Sequence, residues 1–349
     1  MAGLLDFKMQ KIMEGSAEIF APTAKVVSKK LPVFYNPVMC LNRDITILLL
    51  KQFPKMRLCD PLAGTGIRSI RFAKELKPKS VTANDISEKA VALIKKNSVH
   101  NHVKFEVRNK DANIMLMEST GFDFIDLDVF GSPNFVLDSA VRRLSRKGIL
   151  AVTATDAAAL CGSSPKACIR KYWAAPKKSS NMHETGLRIL IRKVQLVGAQ
   201  YDKALLPIFS YFKDHYFRAF FKCIKGKQHT DKLFPRHQSF EGAGPLWTGK
   251  LWDSNLAKKM AKSAEKTEMY RNASKFIGII AEESSITSIG FYDIHYVCSS
   301  NGINPVPKNE EVISKIMQKG YSAASTHFKG TGIRTDMPAQ DFLNILKNK

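Results

Sequence analysis

The segment MRLCDPLAGTGIRSIRFAKELK (56–77) changes its pattern twice and decides the fold. MRLCD is a short apolar run typical of a buried strand, PLAGTG is a glycine-rich turn, and IRSIRFAKELK has the period of a helix. In this order, the turn brings backbone N–H groups and a helix N-terminus against a ligand. Gly64 and Gly66 lack the third glycine of the G-x-G-x-x-G fingerprint, and a turn without any ligand has the same pattern.

Strands and helices continue to alternate after this turn. This spacing predicts an α/β fold with a parallel, doubly wound sheet. The predicted strands are SVTAND (80–85), KFEVRNKDAN (104–113), which runs into a loop, FDFIDLD (122–128) and GILAVTATD (148–156). The predicted helices are SEKAVALIKKNSVHN (87–101) and SPNFVLDSAVRRLSRK (132–147).

Two apolar and aromatic runs, KALLPIFSYF (203–212) and HYFRAFFKCIKG (215–226), predict an antiparallel hairpin that closes the sheet. We therefore expect a first domain over 1–228 and a C-terminal α+β domain over 229–349. In the second domain, 257–283 has the pattern of one amphipathic helix. Residues 305–338 predict a helix and then two strands, which suits a winged-helix-like module.

The charge of the chain points to a polyanionic partner. Among 349 residues there are 54 Lys and Arg against 31 Asp and Glu, a net charge of +23. Residues 1–228 hold 38 of these cations against 19 acids, and residues 229–349 hold 16 against 12. Nucleic acid is the leading candidate, and a basic surface without a partner, as in some thermophiles, is the alternative.

The six cysteines contain no C-x-x-C pair, so we expect no structural metal and a reducing, cytoplasmic location. No window approaches the roughly 18 apolar residues of a membrane span, so we expect no membrane association. Nothing in the sequence points to an obligate protein partner.

Acidic residues follow three of the predicted strands. Asp85 ends the second strand, about twenty residues after the glycine turn, where a carboxylate can bind both ribose hydroxyls of an adenosine group. Asp111 follows the third strand, where it can accept a hydrogen bond from an adenine amino group. This set is typical of S-adenosylmethionine enzymes rather than NAD enzymes. Asp85 could alternatively be only a cap for the helix that follows it.

The fourth strand ends in Asp128-Val129-Phe130-Gly131, a carboxylate followed by an aromatic ring. The nitrogen of an exocyclic amine is a poor nucleophile because its lone pair is delocalised. Fixed acceptors near a methyl sulfonium favour its attacking geometry and accept the released proton. Asp128 is the candidate for this role, and a helix cap is the alternative. Asp126 points to the same face of the strand and is its partner or a structural residue.

Two basic stretches, RRLSRK (142–147) and PKACIRKYWAAPKK (165–178), hold nine Lys and Arg. Tyr172 and Trp173 lie between cations. This mixture is expected where phosphates and unstacked bases are bound, although solvated helix faces give similar runs. The histidines, among them His183 and His215, lie in separate contexts and indicate no catalytic triad.

Several stretches together resemble the tRNA guanine-26 N2-dimethyltransferases, most closely their short archaeal form. The resemblance covers nearly the whole chain, and its FYNP–NRD and TATD–LCG–RKY elements are specific to that family. The stretches include FYNPVMCLNRD (34–44), AGTGIRSIRFA (63–73), NDIS (84–87), DLDVFGSP (126–133), VTATDAAALCGSSPKACIRKYWAAP (152–176), HETGLRIL (183–190), FKDHYFRAF (212–220), GPLWTGKL (244–251) and THFKGTGIRTD (326–336).

The resemblance implies transfer of one and then a second methyl group from S-adenosylmethionine to the N2 amine of guanosine 26 in tRNA. It implies Asp128 as the catalytic residue, with Phe34 and Phe130 sandwiching a guanine flipped out of its stack. The residues implied to hold the cofactor are Arg43, Arg68, Asp85, Asp111 and Ala112, beside the Gly64 and Gly66 turn.

Two departures from the family pattern matter. Val129 replaces the usual proline after the catalytic aspartate, so the balance of one and two methyl groups is open. The four-cysteine zinc site of some members is missing, because 224–297 contains no cysteine. Guanosine 27 as a further target, the tRNA subset and the oligomeric state also stay open. The alternatives are methylation of another tRNA position or ribosomal RNA, a non-catalytic RNA-binding protein, and an NAD oxidoreductase.

Overall fold

A computed structural model describes residues 8–23 and 31–347. The first described elements form an antiparallel hairpin of β1 (Met9–Glu14) and β2 (Ala17–Pro22). Alternate residues of β2 are fully buried, and Ile19 packs with Ile70 of the helix that follows the glycine turn. The hairpin therefore forms part of the wall behind that turn.

The centre of the fold is a sheet of seven strands in the order β5-β4-β3-β6-β7-β9-β8. Five of them are parallel, β9 runs antiparallel to β7, and β8 runs antiparallel to β9. The doubly wound α/β fold and the closing hairpin are thus confirmed. The strands are β3 (Arg57–Asp60), β4 (Ser80–Asn84), β5 (Glu106–Arg108), β6 (Phe122–Leu127), β7 (Leu144–Ala154), β8 (Lys203–Lys213) and β9 (Tyr216–Lys225).

Helices join these strands and cover the sheet. Ser87 caps the helix after β4 by accepting a hydrogen bond from the Ala90 amide, as its place in the sequence suggests. The helices are α1 (Cys40–Leu50), α2 (Ile67–Glu75), α3 (Glu88–His100), α4 (Ala112–Glu118), α5 (Asn134–Arg143), α6 (Ala157–Leu160), α7 (Pro165–Tyr172), α8 (Met182–Ala199) and α9 (Lys227–Asp231).

One predicted boundary in the sheet is wrong. The helix predicted over 132–147 ends at Arg143, because Leu144 is buried by pairing with Phe122 at the start of β7. The strand predicted to run into a loop over 104–113 is the three residues of β5, and Asp111 lies after it as predicted. Asp111 also caps α4, a role that the sequence pattern did not indicate.

The C-terminal part is α+β, as predicted. A three-stranded antiparallel sheet has the order β12-β14-β13, and β10 pairs with β11. The elements are β10 (His237–Phe240), β11 (Ala243–Trp247), α10 (Ser254–Ala264), α11 (Arg271–Glu283), β12 (Tyr292–Asp293), α12 (Ile294–Ser300), α13 (Asn309–Gln318), β13 (Ala323–Ser325), β14 (Gly332–Thr335) and α14 (Ala339–Lys347).

The single helix predicted over 257–283 is two helices, α10 and α11. Between them a short turn buries Tyr270, whose hydroxyl donates a 2.7 Å hydrogen bond to Glu75 of α2. Lys51 at the end of α1 donates to the same hydroxyl over 3.0 Å. These contacts with distant helices hold the turn, and an amphipathic period alone could not indicate them.

The main hydrophobic core extends from the seven-stranded sheet into α10 and α11, and a second cluster lies among 294–346. Buried Arg334 of β14 joins the two, because its guanidinium bonds Glu184 of α8 at 2.6 Å and Glu283 of α11 at 2.8 Å. The boundary near residue 228 stays a prediction. Among the described residues, no helix has both the length and the apolar content to span a membrane.

Candidate active site

The candidate site lies at the carboxyl edge of the parallel strands. From β3 the chain continues to β4 and β5 on one side of the sheet, and from β6 it continues to β7 on the other side. The strands β3 and β6 are neighbours in the sheet. Ligands of open α/β sheets bind at such a switch point. The Gly64 turn follows β3, Asp85 follows β4, Asp128 follows β6 and Thr155 follows β7.

The glycine turn is held close to both predicted ligand sites. Gly64 and Gly66 have φ values of +55° and +80°, a region that side chains rarely adopt. The Gly64 amide donates a 2.9 Å hydrogen bond to Asp85. A Cβ at Gly64 would lie 2.8 Å from the carbonyl oxygen of Phe34. Glycine at this position thus lets the turn contact both Asp85 and the segment that carries Phe34.

Asp85 is fixed by backbone donors. Its second carboxylate oxygen accepts a 2.9 Å hydrogen bond from the Ser87 amide. Burial raises the pKa of Asp85, and the bonds from Ser87 and Gly64 oppose that rise. The structure therefore places Asp85 beside the glycine turn, and the residue is partly exposed.

Asp111 and Ala112 lie at the start of α4, after β5. Asp111 Oδ1 accepts hydrogen bonds from the amides of Asn113 and Ile114, at 2.9 and 3.3 Å, so the residue is a helix cap. Asn84, the residue before Asp85, bonds the backbone of Lys110 and so ties this loop to the end of β4. A cap and a ligand contact are compatible, because these bonds use one carboxylate oxygen.

Asp128 is bound directly to Arg68. The guanidinium Nη2 lies 2.5 Å from Oδ2 of Asp128, and Asn42 Oδ1 accepts from the same nitrogen at 3.1 Å. Burial disfavours the ionised form of Asp128. The charges of Arg68, Arg218 and Arg43 outweigh burial and hold the pKa of Asp128 below its usual range. The candidate catalytic carboxylate is therefore a fixed, ionised acceptor, and its side chain is 20% exposed.

Asp126, two residues before Asp128, has a different environment. It is fully buried and accepts hydrogen bonds from Arg68 at 3.0 Å and from Arg218 of β9 at 2.8 and 2.7 Å. It is thus the structural residue of the two alternatives left open for it. By holding Arg68, Asp126 also fixes the direction in which Arg68 meets Asp128.

Arg43 and Arg71 form a second buried network with the N-terminal hairpin. Nε and Nη2 of Arg43 each lie 2.6 Å from Glu14, and Arg71 Nη1 lies 3.0 Å from the same carboxylate. Burial opposes ionisation of Glu14, but the two arginines lower its pKa to about 2. No local pattern in the sequence indicates Glu14, since its partners are 29 and 57 residues away. A cofactor contact for Arg43 stays a prediction.

Phe34 and Phe130 meet at the site, but they do not form parallel walls. Their ring centroids are 4.2 Å apart and the planes make an angle of 73°. A base between two rings needs a contact of about 3.5 Å on each face, so the rings must separate to about 7 Å. The predicted pair is therefore brought together, and a sandwich requires one ring to turn. Phe130 is 39% exposed and precedes Gly131.

Thr155 holds the loop that carries Phe130. Its Oγ1 accepts a 2.6 Å hydrogen bond from the Gly131 amide, and its own amide donates to the Gly131 carbonyl at 3.0 Å. In the sequence, only the place of TATD at the end of a predicted strand indicates that Thr155 lies near the site.

A cavity of about 170 Å³ opens between these groups. It combines one carboxylate, aromatic rings and a few further polar side chains. Four of its residues were not predicted: Asn36 and Met39 lie near the predicted Phe34, whereas Thr155 and His215 come from other strand ends. The lining residues are Phe34, Asn36, Met39, Asp128, Val129, Phe130, Thr155 and His215.

A basic face borders the same loop. The carbonyl of Lys171 in α7 accepts a 2.8 Å hydrogen bond from Asn134, four residues after Phe130. Trp173 is half exposed, and the Lys193 ammonium lies 3.0 Å from its ring centroid. Exposed cations of α7 and the loop after it are Lys166, Arg170, Lys171, Lys177 and Lys178. Those of the other basic stretch, Arg142, Arg146 and Lys147, lie where α5 ends and β7 begins, at the opposite end of β7 from Thr155.

Within 8–23 and 31–347, no group of three or more His, Cys, Asp and Glu side chains could hold a metal ion.

Comparison with known proteins assigns the family. Residues 15–238 and 234–347 match the family model described as N2,N2-dimethylguanosine tRNA methyltransferase. A tRNA (guanine(26)-N(2))-dimethyltransferase of Pyrococcus horikoshii is 39% identical over 99% of this chain and 100% of its own length. A tRNA (guanine(26)-N(2)/guanine(27)-N(2))-dimethyltransferase of Aquifex aeolicus is 35% identical over 97% of this chain and 96% of its own.

The fold agrees with a solved relative. The structure of Trm1 from Pyrococcus horikoshii in complex with S-adenosyl-L-methionine superposes with a TM-score of 0.88 at 37% identity. It covers 96% of this chain, and this chain covers 99% of it. The resemblance noted from the sequence is confirmed on both counts. The chain belongs to the N2,N2-dimethylguanosine tRNA methyltransferase family.

Proposed function

We propose that this protein uses S-adenosylmethionine to methylate the N2 amine of guanosine 26 in tRNA, once and then a second time. The observation that carries the proposal is the position of Asp128. It is an ionised carboxylate fixed by Arg68 at the end of β6, in a cavity bordered by Phe34 and Phe130. The family and its guanine-26 relatives support the choice of substrate.

The residues at the ends of β3, β4 and β5 fit S-adenosylmethionine. The Gly64 turn leaves no room for a Cβ, and partly exposed Asp85 presents a carboxylate beside it. We assign the ribose hydroxyls to Asp85 and the adenine to Asp111 and the backbone of Ala112. Arg43 and Arg68 are assigned to the methionine end. When bound, the cofactor supplies an electrophilic methyl group on a sulfonium.

Asp128 prepares the amine for attack. Its carboxylate accepts a hydrogen bond from N2–H, which favours a nitrogen lone pair directed out of the purine plane. Arg68 keeps the carboxylate ionised and stops it from rotating, since Arg68 is itself bonded to Asp126. After methyl transfer the amine carries an excess proton, and Asp128 is the acceptor at hand.

The base is placed by the two aromatic rings. The backbone of Phe34 lies close to Gly64, and Phe130 lies on the loop that Thr155 holds through the Gly131 amide. We propose that Phe130 turns away from its edge contact with Phe34 and that the flipped guanine enters between them.

For a second transfer, the remaining N–H of the singly methylated amine must again donate a hydrogen bond to Asp128. Val129 is almost fully buried beside Asp128 and lines the cavity. Without the fixed φ of proline, the Val129 carbonyl is less rigidly set as a second acceptor. The ratio of one to two methyl groups therefore depends on this residue in our proposal.

The tRNA is proposed to bind across the basic face around α7, with the 229–349 domain as a second RNA-binding surface. RNA bound to α7 would lie next to the cavity, since Asn134 joins α7 to the loop that carries Phe130. We place the enzyme in the cytoplasm, where its six cysteines remain reduced.

The proposal is tested by incubating the protein with unmodified tRNA transcript and S-adenosylmethionine, followed by nucleoside mass spectrometry. Transcripts with adenosine at position 26 or 27 are the matched controls. We expect N2-methylguanosine and then N2,N2-dimethylguanosine, both lost with the position-26 change. Products that persist there but vanish with the position-27 change would move the target. Methylation of ribosomal RNA alone, or tRNA binding without any transfer, would support the alternatives and overturn the proposal.

A further inference from the structure

The turn between β8 and β9 brings a histidine to the candidate active site. Phe217 of β9 pairs with Ala154 at the last position of β7, so β9 begins at the edge where β7 ends. Lys213 pairs with Tyr216, which leaves Asp214 and His215 as the two turn residues. Asp214 has a φ of +52°. His215 is therefore fixed at the carboxyl edge of the sheet by a tight hairpin.

His215 lines the same cavity as Asp128, Phe34 and Phe130, although it lies 87 positions after Asp128 in the sequence. Its ring packs edge-on against Tyr216, with the centroids 5.9 Å apart. Tyr216 itself is fully buried. The exposed imidazole of His215 thus packs against a buried aromatic residue and lines the cavity.

The acceptor oxygens of two other polar groups in the cavity are already engaged. Thr155 Oγ1 accepts from the Gly131 amide, and Asn36 Oδ1 accepts from the Val38 amide at 3.0 Å. Asp128 offers only acceptors when ionised and is assigned to the amine. Guanine also presents O6 as an acceptor and N1–H as a donor. A neutral imidazole has one donor and one acceptor nitrogen, so it can match either group.

We propose that His215 contacts the substrate and recognises the O6 and N1–H edge of the guanine whose N2 amine is held by Asp128. This inference rests on the proposed function and extends it, because it names the group that distinguishes guanine from other purines in the cavity. Three groups of side chains then contact different parts of the base. The phenylalanines hold its faces, Asp128 holds the reacting amine, and His215 holds the 6-oxo edge.

The test compares two tRNAs that carry guanosine or 2-aminopurine ribonucleoside at position 26. 2-Aminopurine keeps the exocyclic amine at C2 but lacks O6 and N1–H. Single-turnover methyl transfer is measured with wild type and with His215→Ala. The loss of one hydrogen bond predicts a slowing of about 10- to 100-fold for the guanosine substrate. The same substitution should change transfer to the 2-aminopurine substrate by less than about threefold, because that substrate has no 6-oxo edge for His215 to bind.

Two further variants complete the test. His215→Gln keeps a donor and an acceptor and should recover most of the rate with guanosine. His229→Ala removes an exposed histidine of α9 outside the cavity and should leave both rates unchanged. If transfer to 2-aminopurine is too slow to time, the four tRNA affinities in the presence of S-adenosylhomocysteine provide the same comparison.

The outcomes separate this inference from the proposed function. No transfer by wild type to guanosine-26 tRNA overturns the proposed function and the inference with it. Wild-type activity with an unaffected His215→Ala variant overturns the inference alone. Equal slowing on both substrates also overturns it, since it assigns His215 a role in shaping the site rather than a contact to the 6-oxo edge.

Discussion

Arg68 Nη2 and Asp128 Oδ2 lie 2.5 Å apart at the carboxyl edge of the sheet. Arg68 is almost completely buried and is also bonded to Asp126 and Asn42, so it cannot follow Asp128 if the carboxylate moves. The pair therefore sets both the direction of the candidate catalytic carboxylate and its charge. This explains why an arginine eight residues after the end of β3 matters to chemistry at another strand.

The ion pair gives a prediction on pH dependence. Arg68→Gln removes the strongest opposing charge, so burial raises the pKa of Asp128 and less of the carboxylate is ionised at low pH. Relative to wild type, the single-turnover rate of the variant should fall as the pH is lowered from about 8 to 5, with saturating cofactor and tRNA.

Arg57→Gln is the control, because Arg57 pairs with Asp123 on the same sheet but with a more exposed side chain. Superimposable pH profiles for Arg68→Gln and wild type would show that Arg68 does not control the ionisation of Asp128.

The Gly64 turn predicts a selective loss of cofactor affinity. In Gly64→Ala a Cβ is placed 2.8 Å from the Phe34 carbonyl oxygen, in addition to the strain of a positive φ. We expect at least about tenfold weaker S-adenosylmethionine binding by isothermal titration calorimetry. Gly131→Ala carries the same kind of strain, with φ +74°, but its Cβ would meet nothing within 4 Å. Equal losses of affinity in the two variants would show that the clash with Phe34 is not the cause.

Glu14 predicts a stability difference that depends on pH. Its pKa falls from 4.5 to about 2 on folding, so ionised Glu14 stabilises the fold above pH 4.5. The contribution of about 3 kcal/mol is lost as the pH falls from 4.5 towards 2. Glu14→Gln should therefore lower the free energy of unfolding by about this amount at pH 7, measured by urea denaturation, and the gap to wild type should close in acid.

Glu18→Gln is the matched control on the same hairpin. Glu18 pairs with Lys11 and His100 at a partly exposed position, so its removal should change stability much less than removal of Glu14 does. A Glu14→Gln gap that stays constant down to about pH 2 would contradict the assignment.

How much of this site was predictable depends on whether a residue acts through local or distant partners. Asp85, Asp111 and Asp128 follow strands whose alternation with helices is visible in the sequence, so their meeting at one edge follows from a parallel sheet. The glycine turn is equally local. The periodicity of 56–156 therefore predicts the framework and the acidic residues of the site.

The remaining features depend on partners far along the chain. Arg218 reaches Asp126 across 92 positions, and Glu14 reaches Arg71 across 57. An arginine in the apolar run of β9 gives no sign of which carboxylate neutralises it. His215 comes to the cavity only because β9 runs antiparallel to β7. The break between α10 and α11 likewise follows from Tyr270 binding Glu75, which no local period records.

The aromatic pair predicts slower tRNA turnover with cofactor binding unchanged. Base stacking contributes about 1–3 kcal/mol per base, so Phe34→Ala and Phe130→Ala should each lower kcat/KM for tRNA by about 5- to 100-fold. S-adenosylmethionine affinity should stay within about twofold, because the substitution leaves the backbone of Phe34 beside Gly64 unchanged. Phe234→Ala, which truncates an exposed ring after α9, is the control. Unchanged kcat/KM in both site variants would exclude a stacking role.

The basic face predicts the salt dependence of tRNA binding. Lys166 and Arg170 are exposed on α7, beside the Phe130 loop. Replacing both with Gln should lower the slope of log Kd against log salt by about 0.7–0.9 for each phosphate that the variant no longer neutralises. Lys89 and Lys95 of α3 provide an equal charge change near the opposite end of the sheet. An equal effect of the two double variants would indicate a non-specific response to net charge.

The most direct test of Asp128 as the catalytic carboxylate is single-turnover methyl transfer to guanosine-26 tRNA by Asp128→Asn, with cofactor and tRNA affinities measured on the same preparation. Removing a positioned acid–base group predicts a rate about 10²- to 10⁴-fold below wild type. Both affinities should remain within about threefold, since Arg68 keeps Asp126 and Asn42 as partners. A rate within about threefold of wild type, or a loss of binding equal to the loss of rate, would contradict the assignment.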